Sequence, residues 1–195
     1  MKKLYCFDFD GTLTYKDTMF LFLKFYNRRK FYFSFVKHVP LFILLKINLL
    51  EAEKVKRSFI SSVMRGETKN RIQQQAHLFF QKYYPELIRR NALDFISGMD
   101  REKVESLIVT ASLDLWVQPF ADHFGMKLLA TTAEFKDDIF TGNFVGINCN
   151  GDEKVNRILG EIKNKQFDKT IAFGDTKADQ PMLNWADESH FRFFH

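Results

Sequence analysis

The chain predicts an α/β fold: a doubly wound, mostly parallel Rossmann-like sheet with an inserted α-helical cap. Three observations carry this. Short apolar runs closed by polar residues recur at Leu4 to Phe9, Leu107 to Thr110, Lys127 to Thr132 and Thr170 to Gly174. Helical patterns alternate with these runs from the second onward, and strands that alternate with helices pair in parallel through crossovers. Residues 14–90 break that alternation, with helical spacing, few glycines and no convincing strand.

Each element has its own warrant. Leu4 to Phe9 is almost wholly apolar, as a strand buried on both faces should be. In the inserted segment, seven of the eight residues from Met19 to Tyr26 are apolar, Arg28-Arg29-Lys30 follows, and eight of ten from Leu41 to Leu50 are apolar. A helix apolar all round must be buried, in protein or in lipid. Lys37, His38, Pro40 and Lys46 interrupt the stretch, so no run reaches the roughly 18 apolar residues of a spanning helix. Asp114 to Phe124 and Asp152 to Lys163 each open with an acid suited to a helix N-terminus. Ile139 to Ile147, broken by Thr141-Gly142-Asn143, predicts a β-hairpin. The Phe-rich tail holding His190 and His195 predicts a last strand or a segment packed on the core, and Trp116 and Trp185 fall at helical core positions.

A chain of 195 residues holds one main domain and a modest insertion, here a core of residues 1–13 and 91–195 and a cap of residues 14–90. Two cysteines, Cys6 and Cys149, give neither a disulfide framework nor metal-ligand spacing, which suits a reducing cytoplasm. The start, Met1-Lys2-Lys3-Leu4, leads straight into a strand and lacks the longer apolar stretch of a signal peptide. The formal net charge of +5 is uneven: residues 14–70 hold 12 Lys/Arg against 4 Asp/Glu, a net of +8, and the remainder nets −3. That asymmetry points to an anionic partner for the insertion: phospholipid headgroups, a phosphorylated substrate or nucleic acid. Charge alone, without a binding motif, gives no expectation of nucleic acid.

Chemistry concentrates at four places. Asp8-Phe9-Asp10-Gly11-Thr12 sets two acids at the end of the first strand, where open α/β sheets bind ligands, and Gly11 lets backbone N–H groups approach an anion. Thr110 ends the second run, so its hydroxyl and the amides that follow, Ala111 first, face the same edge. Lys154 follows Gly151-Asp152-Glu153, and Gly174-Asp175-Thr176-Lys177-Ala178-Asp179 closes another strand with two acids. Carboxylates gathered about 4 Å apart repel by roughly 4 kcal/mol per pair at an effective dielectric near 20. Lys154 supplies one positive charge, and an oxygen-rich site without a His or Cys cluster suits Mg²⁺ better than zinc.

In that order the four motifs resemble the haloacid dehalogenase-like superfamily, specifically its phosphoserine-phosphatase-like branch with a helical cap after the first strand; the resemblance spans Leu4 to Leu183. It implies a phosphomonoesterase in which Asp8 attacks phosphorus to form an aspartyl-phosphate and Asp10 serves as general acid, then base. It further implies Mg²⁺ held by the Asp8 carboxylate, the Asp10 backbone carbonyl and the Asp175 carboxylate, with Asp179 in support. Gly11, Thr110, Ala111 and Lys154 would hold the phosphoryl group. The second acid, Asp10, separates ester hydrolysis from dehalogenases, which lack it, and from ATP-driven pumps, which carry threonine there.

The cap resembles that of the phosphatidylglycerophosphatase C group, through its apolar Arg-Arg insertion, Gly151 to Val155, and Gly174 to Leu183. The implied substrate is a lipid phosphate monoester such as phosphatidylglycerol phosphate, met at the inner face of an anionic membrane. Against phosphoserine, Asp17 stands where those phosphatases carry a longer glutamate, and only Arg57 and Arg65 offer themselves for a substrate carboxylate. Phosphoserine or another small metabolite is the alternative substrate. A membrane- or nucleic-acid-binding module with a vestigial site is the alternative of another class.

Overall fold

The computed structural model describes residues 2–46 and 49–195. Six strands, β1 (Lys3–Phe7), β2 (Val104–Leu113), β3 (Lys127–Lys136), β4 (Ile139–Val145), β5 (Lys169–Gly174) and β6 (Glu188–Phe191), form one sheet in the order β4-β3-β2-β1-β5-β6. Only β3 and β4 pair antiparallel; every other neighbour is parallel. Strand order reverses at β1, which has β2 on one side and β5 on the other, so the crevice beyond its carboxyl end is the ligand position of such a sheet.

Burial on both faces explains the apolar runs. Leu4 and Cys6 of β1 point to one face, with Leu107, Val109 and Ala172, under Ile158 of α7 (Asp152–Ile162) and Met182 and Leu183 of α8 (Gln180–Trp185). Phe7, Ile108 and Phe173 point to the other, toward Ala92 and Ile96 of α5 (Arg90–Ser97) and Trp116 and Phe120 of α6 (Asp114–Phe124). His190 stacks on Phe173 with ring centroids 4.8 Å apart, so the Phe-rich tail supplies both an edge strand and core packing.

Residues 14–90 supply four helices, α1 (Thr18–Tyr26), α2 (Arg28–Lys46), α3 (Ala52–Met64) and α4 (Lys69–Tyr83). The insertion leaves and returns at one place, where Thr14 and Ile88 form an antiparallel bridge and Arg89 N donates to Leu13 O. Its apolar side belongs to the same cluster as the sheet face: Phe22 stacks on Trp116 at 5.2 Å, and Phe79 meets Phe22 edge-on at 5.3 Å. In the apolar run from Leu41 to Leu50, Ile47 and Asn48 lie outside the described residues.

The hairpin is placed differently from the sequence expectation. Ile139–Val145 is a single strand paired back onto β3, and the turn is made by Asp137 and Asp138, both at positive φ (48° and 60°), as a tight hairpin turn requires. Gly142 stands inside β4 at φ +87° and also serves packing. A Cβ on it would stand 2.2 Å from the Ser61 hydroxyl, so its absence lets α3 seat on β4.

Candidate active site

Asp8 and Asp10 follow the last residue of β1 and receive different partners. Asp8 is buried, its Oδ1 2.6 Å from Lys154 Nζ and its Oδ2 3.0 Å from the Thr12 hydroxyl. Asp10 is half-buried and takes neutral donors: the Thr18 amide reaches its Oδ1 at 2.6 Å, and the Ser112 hydroxyl its Oδ2 at 2.5 Å.

Lys154 is 1% exposed, in the first turn of α7, and its ammonium is shared between Asp8 and Asp179, the latter at 2.5 Å. A lysine ordinarily stays at the surface unless paired. Burial alone would draw its proton off, but the two carboxylates outweigh burial and hold its pKa above the ordinary lysine value. Asp179 is buried too, a change that by itself would raise its pKa. Lys154 and the donors of Thr176 instead hold it below the usual aspartate range. Its Oδ2 accepts from the Asp175 amide, the Thr176 amide and the Thr176 hydroxyl, which fixes the Gly174–Asp179 turn.

Asp175 reaches the same place from β5. The Thr12 hydroxyl lies 3.1 Å from its Oδ1 and 3.0 Å from Asp8 Oδ2, bridging the two acids. Carboxylate oxygens of Asp8, Asp175 and Asp179 lie within 4.8 Å of one another. One lysine cannot balance three such acids. Burial, opposed by Lys154, pushes the Asp8 carboxyl up to about 7, and burial raises Asp175 despite the Thr12 donor. Gly11, at φ +85°, lies against Asp175: a Cβ there would sit 2.5 Å from Oδ2. An all-oxygen cluster with one charge-balancing lysine fits a hard divalent cation.

A cavity of about 360 Å³ opens over these groups. Asp8, Asp10, Thr110, Ala111, Lys154 and Asp179 line its floor, so all but two of the core residues singled out in the sequence, Gly11 and Asp175, border it. Thr110 is buried, and its Oγ1 accepts from the Ser112 amide at 3.0 Å. Asp17 borders the cavity while capping α1, its Oδ1 accepting from Met19 N at 2.9 Å. Burial and neighbouring Asp10 raise its pKa to about 6. Arg57 is not among the lining residues, and Arg65 lines a separate depression beside Phe140.

Three contributing residues were missed in the sequence. Ser112 reaches Asp10 because β2 carries two extra residues, Ala111 and Ser112, between the pairings Thr110↔Ala130 and Leu113↔Thr131, and the bulge turns the strand end over the crevice. Lys56 of α3 lines the cavity and donates to Ala111 O at 2.5 Å. Burial lowers its pKa, with Asp10 and Asp17 opposing. Thr18, buried in the first turn of α1, holds Asp10 through its amide and accepts from the Trp116 indole N–H at 3.0 Å. A hydroxyl two residues beyond Thr110 was visible as a signal for Ser112; for Lys56 and Thr18 the sequence carries none.

The cavity walls are apolar, made by Met19 and Phe20 of α1, Phe42 and Leu45 of α2, and Ala52 and Val55 of α3. The acids of the floor thus come from strand ends, and the apolar walls from the insertion.

Comparison with known proteins bears on the family and the fold. A model of haloacid dehalogenase-like hydrolases matches residues 6–184. The sequence is 36% identical over 193 residues to Protein CicA of Caulobacter vibrioides, covering 98% of this chain and 86% of that protein. Among solved structures, a protein with unknown function from Bordetella pertussis Tohama I superposes with a TM-score of 0.80 at 20% identity, over 97% of this chain and 89% of the other. A phosphoserine phosphatase captured as a phospho-aspartyl intermediate analogue superposes with a TM-score of 0.64 at 17% identity, over 96% and 85%.

Proposed function

Since the chain belongs to the haloacid dehalogenase-like hydrolases, we propose that it is a Mg²⁺-dependent phosphomonoesterase acting through an aspartyl-phosphate on Asp8. One observation carries this reading: Asp8 and Asp10 share a cavity floor, yet Asp8 is paired with a buried ammonium and Asp10 is held by neutral donors. Two carboxylates in such different surroundings suit two roles, nucleophile and proton carrier.

The Asp8 carboxylate forms its bond to phosphorus as the ester P–O bond breaks, and Asp10 gives its proton to the departing alkoxide. Water then attacks the phosphorus, Asp10 takes its proton, and the bond to Asp8 breaks, releasing inorganic phosphate. Lys154, the Thr110 hydroxyl and the backbone of Gly11 and Ala111 orient the phosphoryl group and offset its charge. Asp8, the Asp10 carbonyl and Asp175, supported by Asp179, would hold Mg²⁺. When bound, the ion supplies the positive charge that the acids and the phosphoryl oxygens need.

Apolar walls favour an amphiphilic leaving group, and we read the inserted helices as a cap that admits a lipid phosphate monoester such as phosphatidylglycerol phosphate. Asp17 and Lys56, an acid and a cation at the same cavity, favour a second reading, a small zwitterion such as phosphoserine. Two free, buried cysteines support a cytoplasmic setting. The test is a hydrolysis panel in Mg²⁺ and in chelator, comparing phosphatidylglycerol phosphate in mixed micelles, phosphoserine, sugar phosphates and an aryl phosphate. Preference for the lipid ester is expected, and preference for phosphoserine favours the second reading. Activity that persists in chelator or in Asp8→Asn removes the Mg²⁺-dependent aspartyl-phosphate mechanism, and no hydrolysis of any of these esters removes the phosphatase assignment itself.

A further inference from the structure

Helix α2 packs Phe31, Phe35 and Phe42 against Phe59 yet leaves other apolar side chains outside. Its buried positions Phe31, Ser34 and His38 recur every three to four residues and include two polar side chains. His38 is satisfied within, Nδ1 2.8 Å from the Ser34 carbonyl oxygen and Nε2 3.0 Å from the Ser58 hydroxyl. The outward stripe is apolar: Phe33, Val36 and Ile43 are 65%, 69% and 58% exposed, with Tyr32 beside them and Leu49 following. Burying apolar side chains is what folds the insertion elsewhere, since Phe22 and Leu23 of α1 are wholly covered. A contiguous apolar stripe left facing water marks a contact surface.

Charge identifies the occupant. Arg28, Arg29, Lys30, Lys37 and Lys46 lie on α2, which contains no Asp or Glu; Lys30 is already paired with Glu67 at 3.3 Å, so the positive charge of the helix is counted from the other four. The cations sit beside the apolar rings: Lys37 Nζ is 4.2 Å from the Phe33 ring centroid, and Lys24 Nζ and the Arg28 guanidinium are 5.5 and 5.9 Å from that of Tyr32. Long cationic side chains flanking Phe and Tyr are the pattern of a helix lying at headgroup depth. A second copy docked through the same patch would oppose these cations to their own duplicates. Anionic headgroups attract them and leave the acyl boundary to Phe33, Val36 and Ile43.

We propose that the outer face of α2 docks on an anionic membrane surface, lying in the headgroup region. Among the described residues no helix is long and apolar enough to cross a membrane. Phe42 and Leu45 of the same helix line the catalytic cavity, so the docked helix also borders the cavity. Docking rests on the outer face of α2 and its neighbours Lys24 and Leu49, and goes beyond whatever ester the cavity hydrolyses.

Flotation of the whole chain with vesicles tests this. Vesicles of phosphatidylcholine with phosphatidylglycerol are expected to carry the protein upward, vesicles of phosphatidylcholine alone to leave it behind, and raised salt to weaken the partition. Phe33→Ser, Val36→Ser and Ile43→Ser together should abolish flotation while near-ultraviolet circular dichroism stays unchanged. Arg28→Gln, Arg29→Gln and Lys37→Gln should weaken partition about fivefold per charge removed. No flotation with anionic vesicles, or undiminished flotation of the folded serine variant, overturns the proposal. So does a concentration-dependent dimer that the serine substitutions dissolve, because the occupant would then be a second copy.

Discussion

The Ser112 hydroxyl lies 2.5 Å from Oδ2 of Asp10, joining the bulged end of β2 to the acid two residues beyond the proposed nucleophile. With the Thr18 amide on the other oxygen, the Asp10 carboxylate is held at both ends. In the proposed role of proton carrier, an acid fixed in this way keeps one orientation through both half-reactions.

Ser112→Ala is therefore expected to lower kcat about tenfold with KM nearly unchanged, a fraction of what positioned proton transfer contributes. Ser112→Thr should recover part of the loss. Steady-state kinetics on an aryl phosphate checks both.

Lys56 spans the insertion and the core, carried on α3 and donating to the carbonyl of Ala111. Lys56→Met is expected to raise KM about tenfold with a smaller fall in kcat, because it removes a cation from the cavity and a tether of the wall. Lys56→Arg should restore part of the affinity. Substrate titration of the two variants side by side measures the difference.

Much of this was legible in the sequence. The acid pairs after β1 and β5 announce themselves because burial on both sheet faces makes the strands apolar runs, against which a terminal Asp stands out. Lys154 was readable only in company, since a first-turn lysine is ordinarily exposed. What escaped was contact between segments far apart in the chain. Lys56 meets Ala111 across 55 residues and leaves no local pattern, and Ser112 meets Asp10 across 102 with only its place two residues beyond Thr110 as a signal. The hairpin turn was misplaced for a related reason: Gly142 reads as a turn glycine, but it stands inside β4, where its φ of +87° and the approach of Ser61 both favour glycine.

Stability should depend on pH and metal together. In chelator the buried Asp8 holds its proton up to about pH 7, more tightly than in the unfolded chain. Its contribution is thus complete below the ordinary aspartate range and lost as pH rises toward about 7. Asp179 runs the other way. Its carboxylate, held below the usual range, stabilises above that range and loses its contribution as pH falls through the lowered value. Mg²⁺ competes with protons for ionised acids, so it should raise Tm by more at about pH 8 than at about pH 5. Asp8→Asn should remove most of that difference, read by differential scanning fluorimetry.

The central claim, covalent transfer to Asp8, is tested most directly by acid quench during turnover followed by mass spectrometry of the peptide carrying residues 4–16. One phosphoryl group on Asp8, appearing with substrate and Mg²⁺ and absent from Asp8→Asn, is the expected result. A phosphoryl group on any other residue, or Asp8→Asn turning over as fast as the parent, would contradict it.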